Sequence, residues 1–225
     1  VQTRSSVVGP DAVRPFVIRG LADQGQTVLA VTATSRDAED LVEVLADVFG
    51  PHDVAYYPAW ETLPFERVSP SVETMGRRMR TMWHLRDPER APKVVVAAAR
   101  ALVQRLGPHV EDVEPIVITP GSVVDQADLV SRLVAAGYRR EYQVEHRGEL
   151  AVRGSIVDVF PSTADGPVRI DLWGDEVERL TAFSVNDQRS DADVDCVEIF
   201  PCRELMCTDD VRERAEALVE SEPWG

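Results

Sequence analysis

The period of the apolar positions changes several times along this chain, and the changes divide it. Residues 27–33, TVLAVTA, form a short β-branched run with the look of a strand buried on both faces. A helical period follows. Ala38, Leu41, Val42, Leu45, Val48 and Phe49 fall on one face, Ser35 is placed to cap the start, and Gly50-Pro51 stops the helix. DVAYYP, residues 53–58, gives a second strand. After the irregular AWETLPFERV, Ser69-Pro70 offers an N-cap with proline at the first helical position, where its missing N–H costs nothing. Val72, Met75, Met79, Met82 and Trp83 then make an apolar stripe, read as core, while Arg77, Arg78 and Arg80 are expected on a solvated face. KVVVAAA, residues 93–99, is a third buried strand, followed by a short helix to Leu106.

Strands alternating with helices imply a mostly parallel sheet. The pattern then shifts. EPIVIT leads into a helix capped near Asp125, carrying Leu129, Val130, Leu133 and Val134 and closed by Gly137. Runs of strand character follow, YRREYQVE, GSIVDVFP, VRIDLWG and EVERLTAF, separated by Gly, Pro, Asp and Asn. That is a helix plus an antiparallel meander. The reading is an α/β domain over residues 1–113 and an α+β domain over 114–201. Residues 202–225, containing CTDDVRERAEALVE, read as an acidic, N-capped helix expected to return to the first domain.

Composition narrows the functional classes. The chain has 225 residues, 44% hydrophobic and 28% charged, enough for one generous core or two modest ones. No apolar run approaches the roughly 18 residues of a membrane span. A formal charge of −15 disfavours a surface that tracks a polyanion as a whole, because phosphate binding depends on cation density. Lys93 is the only lysine, so positive charge sits almost entirely on arginine, which suits planar pairing with carboxylates. Cys196, Cys202 and Cys207 lack C-x-x-C spacing and a neighbouring histidine, and are read as ordinary thiols rather than metal ligands. No basic stretch followed by an apolar one opens the chain, so a cytoplasmic location is expected.

SVVGPDAVRPFVIRGLADQGQTVLAVTA, residues 6–33, has the outline of a nucleotide-binding opening without its chemistry. A phosphate-binding loop needs G-x-x-x-x-G-K-[ST], in which backbone N–H groups ring the phosphates and lysine neutralises them. Here Gly9 is followed by Pro-Asp-Ala-Val-Arg-Pro: Pro10 and Pro15 remove donors, Asp11 repels phosphate, and no Gly-Lys pair occurs. Catalysis from a convergent set is not signalled either, since His52, His84, His109 and His146 are scattered and Asp175-Glu176 reads as turn charge.

Three positions in VRIDLWG draw attention. Arg169, Asp171 and Trp173 alternate along a strand and so project from one face, where an arginine and a large aromatic make an interface anchor. The residues alone leave a second reading open, an outer face with a solvated ion pair and a tryptophan belonging to the core.

YYPAWETLPFERVSPSVETMGRRM (56–79), RGSIVDVFP (153–161) and RIDLWGDEVERL (169–180) resemble the N-terminal module of the bacterial transcription-repair coupling factor family, Mfd, itself similar to the excision-repair protein UvrB. The resemblance covers nearly the whole chain. It implies an α/β fold: a degenerate, helicase-like parallel-sheet domain resembling UvrB domain 1a, with an inserted α+β domain, resembling UvrB domain 2, that binds UvrA. AVTATSRDAEDL takes the place of a helicase motif, and residues 56–69 are too short to hold the damage-clamping hairpin of UvrB. The UvrA-contacting positions carry over to Arg153 and Arg169, with Asp171 between them and Trp173 where the family has an aromatic; the first arginine of the UvrB-type RVRG motif is here Ala151. The resemblance further implies a non-catalytic module without its own cofactor. ATP and magnesium, RNA polymerase and double-stranded DNA would engage other domains of a longer protein. The competing readings are an active nucleotide-dependent helicase or UvrB-type enzyme and an unrelated α/β enzyme.

Overall fold

A computed structural model describes residues 6–63 and 66–221. The ends of the expected first and last segments, together with Pro64 and Phe65 of the WETLPF stretch, lie outside the described residues. The fold is α/β. Two compact units divide it, one formed by the chain up to residue 59 with 84–104, the other by 60–83 with the chain from 105 onward.

The first unit contains α1 (Arg14–Ala22), β1 (Val28–Thr32), α2 (Ser35–Phe49), β2 (Val54–Tyr57), β3 (Val94–Ala98) and α4 (Ala99–Val103). Its strands form a parallel sheet in the order β1-β3-β2. Central β3 is buried at every position, and Val94 and Val96 pack with Ile18, Ala22, Ala38, Leu41 and Leu45 of α1 and α2. β1 departs from the expectation of burial on both faces. It is an edge strand, and Leu29 and Val31 are 52% and 51% exposed. Its apolar run reflects β propensity rather than two covered faces. The cap of α2 is Thr34, one residue before Ser35, whose side chain accepts the N–H of Asp37 at 3.1 Å.

In the second unit, α3 (Val72–Leu85) supplies its residues up to Trp83. Its cap is Ser71 rather than Ser69, since Ser71 Oγ accepts the N–H of Thr74 at 3.1 Å. Glu61 braces this turn by accepting from Ser71 Oγ at 2.8 Å and from Thr74 Oγ1. Met75, Met79 and Trp83 are buried as the stripe predicts. Arg78 is not on a solvated face. It is fully buried, donates to the buried carboxylate of Glu204, and lies 5.5 Å from the centre of the Trp60 ring. Its period fits the outer face only if the helix has one neighbour, and α3 has more. Met79 and Trp83 pack with Val110 and Phe200, which is why residues 60–83 group with the later chain although the pattern draws a boundary at 113.

Six strands form the main sheet, in the order β10-β9-β8-β7-β6-β5. They are β5 (Arg139–Arg140), β6 (Glu149–Arg153), β7 (Ile156–Val159), β8 (Val168–Trp173), β9 (Glu176–Phe183) and β10 (Ser190–Asp193). β6 to β10 are an antiparallel meander; β7, β8 and β9 fall in the runs GSIVDVFP, VRIDLWG and EVERLTAF, whereas β6 and β10 lie outside the expected strands. YRREYQVE yields only the two-residue β5, parallel to β6. A separate pair joins β4 (Ile116–Ile118) to β11 (Val197–Ile199). α5 (Gln126–Ala135) is capped by Asp125, which accepts the N–H of Asp128 at 2.7 Å. Leu129 and Leu133 of α5, with Ile118 and Ile199, cover Leu150, Val157, Val159, Ile170 and Leu180 on one face of the sheet. Tyr138 ties the second unit together: its hydroxyl donates to Phe200 O at 2.8 Å and accepts the N–H of Ser162 at 3.0 Å. α6 (Asp209–Ser221) groups with this unit and has no buried residue. No helix among the described residues is long and apolar enough to cross a membrane.

Candidate functional site

β7 places an aspartate inside an apolar strand, and that residue organises the site. Alternation sends Val157 and Val159 toward α5 and turns Ile156 and Asp158 to the opposite face. Asp158 lies across from Ala151 of β6 and Arg169 of β8, and is 1% exposed. Its Oδ1 accepts Nε of Arg169 at 2.8 Å, and its Oδ2 accepts Nη2 of Arg169 at 3.1 Å and Nη2 of Arg153. A carboxylate at that depth is tolerable only with such partners.

Arg169 is held on every side. Its guanidinium lies 4.8 Å from the centre of the Phe183 ring, and Nη1 donates to Gln188 O at 3.4 Å. The bond to Asp158 is the main reason its pKa is raised above the ordinary arginine value, and the charge of Asp171 adds to it.

Arg169, Asp171 and Trp173 do share a face of β8, with Val168, Ile170 and Leu172 on the core side. Exposure increases along the strand: the Arg169 side chain is 15% exposed, Asp171 is half-buried and Trp173 is 79% exposed. The tryptophan does not belong to the core. Across on β9, Thr181 faces Arg169, Arg179 faces Asp171 and Glu176 faces Trp173. Arg179 pairs with Asp193 at 2.6 Å, and Trp173, Glu176 and Glu178 line a shallow groove. One end of the face is capped by a small cluster of Val144, Ala151, Phe160 and Phe183. The other end presents the indole.

The structure places Arg169, Asp171 and Trp173 on one face, as their alternation predicts, and brings Arg153, which the resemblance adds, to the same face through Asp158. Asp158 was not among the expected residues, although an acid between valines in SIVDVFP is the pattern of a buried, paired carboxylate. Arg179, Glu176 and Glu178 have no local signal, because only strand pairing sets them beside β8. Elsewhere, Cys202 is buried, which lifts its thiol to about 12, while Cys196 and Cys207 are exposed. Among the described residues no group of three or more His, Cys, Asp or Glu side chains is arranged to hold a metal ion.

A sheet with one face packed on its helix and the other carrying an arginine-clamped carboxylate and an exposed indole belongs to a definable class: residues 116–205 match the UvrB interaction domain family. The chain is also 43% identical over 225 residues to the transcription-repair-coupling factor of Mycobacterium tuberculosis, covering 97% of this chain and 18% of that protein. It is 33% identical over 206 residues to that of Haemophilus influenzae, covering 90% and 17%, and 30% identical over 213 residues to that of Bacillus subtilis, covering 93% and 18%. The chain belongs to the transcription-repair-coupling factor family, and spans at most 18% of the length of these relatives.

Proposed function

We propose that this chain is the UvrA-docking module of a transcription-repair coupling factor, and that it recruits nucleotide excision repair to stalled RNA polymerase in the cytoplasm. The single observation that carries the reading is the outer face of the six-stranded sheet, on which Arg153, Arg169, Asp171 and Trp173 stand together within the stretch that matches the UvrB interaction domain. An exposed tryptophan on the same sheet face as a charge-paired arginine cluster is the composition of an interface rather than of ordinary solvated surface. The resemblance implies UvrA contacts at both Arg153 and Arg169; Arg153, the more exposed of the two, meets a carboxylate on UvrA, and Trp173 supplies the apolar contact.

The module works by recognition, without a nucleotide, metal or reaction of its own. Gly9 stands in an irregular stretch before a three-residue turn and α1, with Pro10 and Asp11 beside it and Pro15 at the helix start. Asp37 occupies the first turn of α2, where a phosphate would meet like charge. ATP-dependent translocation, RNA polymerase binding and contact with double-stranded DNA belong to other domains of the longer protein. The test is titration of this chain with purified UvrA, with and without nucleotide. Saturable binding lost in Trp173→Ala supports the reading; no binding, or binding indifferent to Trp173, overturns it. Saturable ATP binding by the chain alone overturns the non-catalytic assignment.

A further inference from the structure

We infer that Asp158 is a positioning residue of the docking face: its buried carboxylate tethers two guanidiniums so that Arg153 offers its remaining donors outward while Arg169 is retained in the sheet. The inference rests on the docking reading and refines it, because it assigns the two arginines different tasks.

The donors divide unequally. Arg169 commits Nε and Nη2 to Asp158 and Nη1 to Gln188 O, rests on the Phe183 ring, and keeps a side chain only 15% exposed. Little of it is left for a partner. Arg153 engages Asp158 through Nη2 alone among the described residues, and its side chain is 44% exposed. Its Nε and Nη1 are open to a second carboxylate. A guanidinium already tethered at one edge has lost part of its rotamer freedom before the partner arrives, which is the physical content of preorganisation. Ala151 contributes by being small. It lies directly across from Asp158, and a second arginine there would compete for the same oxygen atoms.

The experiment is a double-mutant cycle on the whole chain, with UvrA binding as the measure and arginine Nε–H resonances as an independent one. Asp158→Asn is expected to weaken UvrA binding about tenfold, and Arg153→Ala to weaken the parent chain but to change the Asp158→Asn chain less than about twofold. The Arg169 Nε–H signal is expected to lose its protection from exchange in Asp158→Asn. An equal loss from Arg153→Ala in both backgrounds, or an unchanged Arg169 signal, overturns the inference. Arg153→Lys serves if Asp158→Asn does not fold: it keeps the charge but not the two-edged fork, so affinity falls, and parent-like affinity overturns the inference. Failure of the parent chain to bind UvrA overturns the docking reading and this inference with it. Loss of the coupling alone, with parent binding intact, overturns only the positioning role.

Discussion

Arg78 and Glu204, 126 residues apart in sequence, form a fully buried ion pair between α3 and the segment that follows β11. Removing either partner strands a charge in the core, a loss of about 3–5 kcal/mol. Arg78→Ala and Glu204→Ala are each expected to lower the urea midpoint sharply. The combined Arg78→Met, Glu204→Leu chain, which leaves no unpaired charge, recovers most of the loss in the same titration.

Gly76 lies on the buried side of α3, against Ser162. A Cβ built on it would fall 2.6 Å from Ser162 Cβ and collide with the hydroxyl as well. Ser162 cannot swing aside freely, because its hydroxyl donates to Phe200 O at 2.9 Å and its N–H to Tyr138. Gly76→Ala is therefore expected to destabilise by about 1–3 kcal/mol despite improving helix propensity, and Gly76→Ala with Ser162→Gly to restore part of it by thermal melting.

Glu149 sets an acid limit. Its burial pushes the pKa up, but N–H bonds from Glu145 and His146, both at 2.9 Å, with the charges of His146 and Arg139, outweigh burial and hold the carboxyl below its ordinary value of 4.5. A depressed carboxylate stabilises the fold fully above the unfolded pKa and loses that contribution as pH falls through the lowered folded value. Glu149→Gln is expected to be less stable than the parent at pH 7, with the gap closing as pH falls below 4.5 and through the lowered folded value, measured by denaturant titration across pH.

The two ends of the proposed docking face respond differently to truncation. Trp173 is 79% exposed, so Trp173→Ala is expected to change stability by less than about 0.5 kcal/mol while costing about 2 kcal/mol or more in UvrA binding. Arg169→Ala leaves buried Asp158 with Arg153 alone, so a stability loss of about 1–3 kcal/mol accompanies any loss of binding. Melting curves beside binding isotherms separate the two.

Local chemistry made much of this legible. Gly50 ends α2, Asp125 caps α5, and the period of two in VRIDLW puts Arg169, Asp171 and Trp173 on one side. What stayed hidden depends on contacts made far along the chain. Arg78 reads as solvated until Glu204 is brought beside it, and β11 declares itself only by pairing with β4. Leu29 and Val31 look doubly buried because a β-branched run is the same whether a strand sits at the centre of a sheet or at its edge. Arg169, Asp171 and Trp173 share the sheet face that their alternation predicts, but how the arginines are held is not legible in the sequence. Exposure separates Arg153 from Arg169, and neither spacing nor residue type encodes it.

The indole of Trp173 also gives the chain an optical handle. Solvent and small quenchers reach it freely, whereas Trp83 is sealed beside Phe200 with its Nε1 donating to Glu114 at 2.7 Å. With Trp60 and Trp224 replaced by phenylalanine, emission from the first reports what settles on the sheet and emission from the second whether the protein is folded, so quenching separates occupancy from integrity without a label.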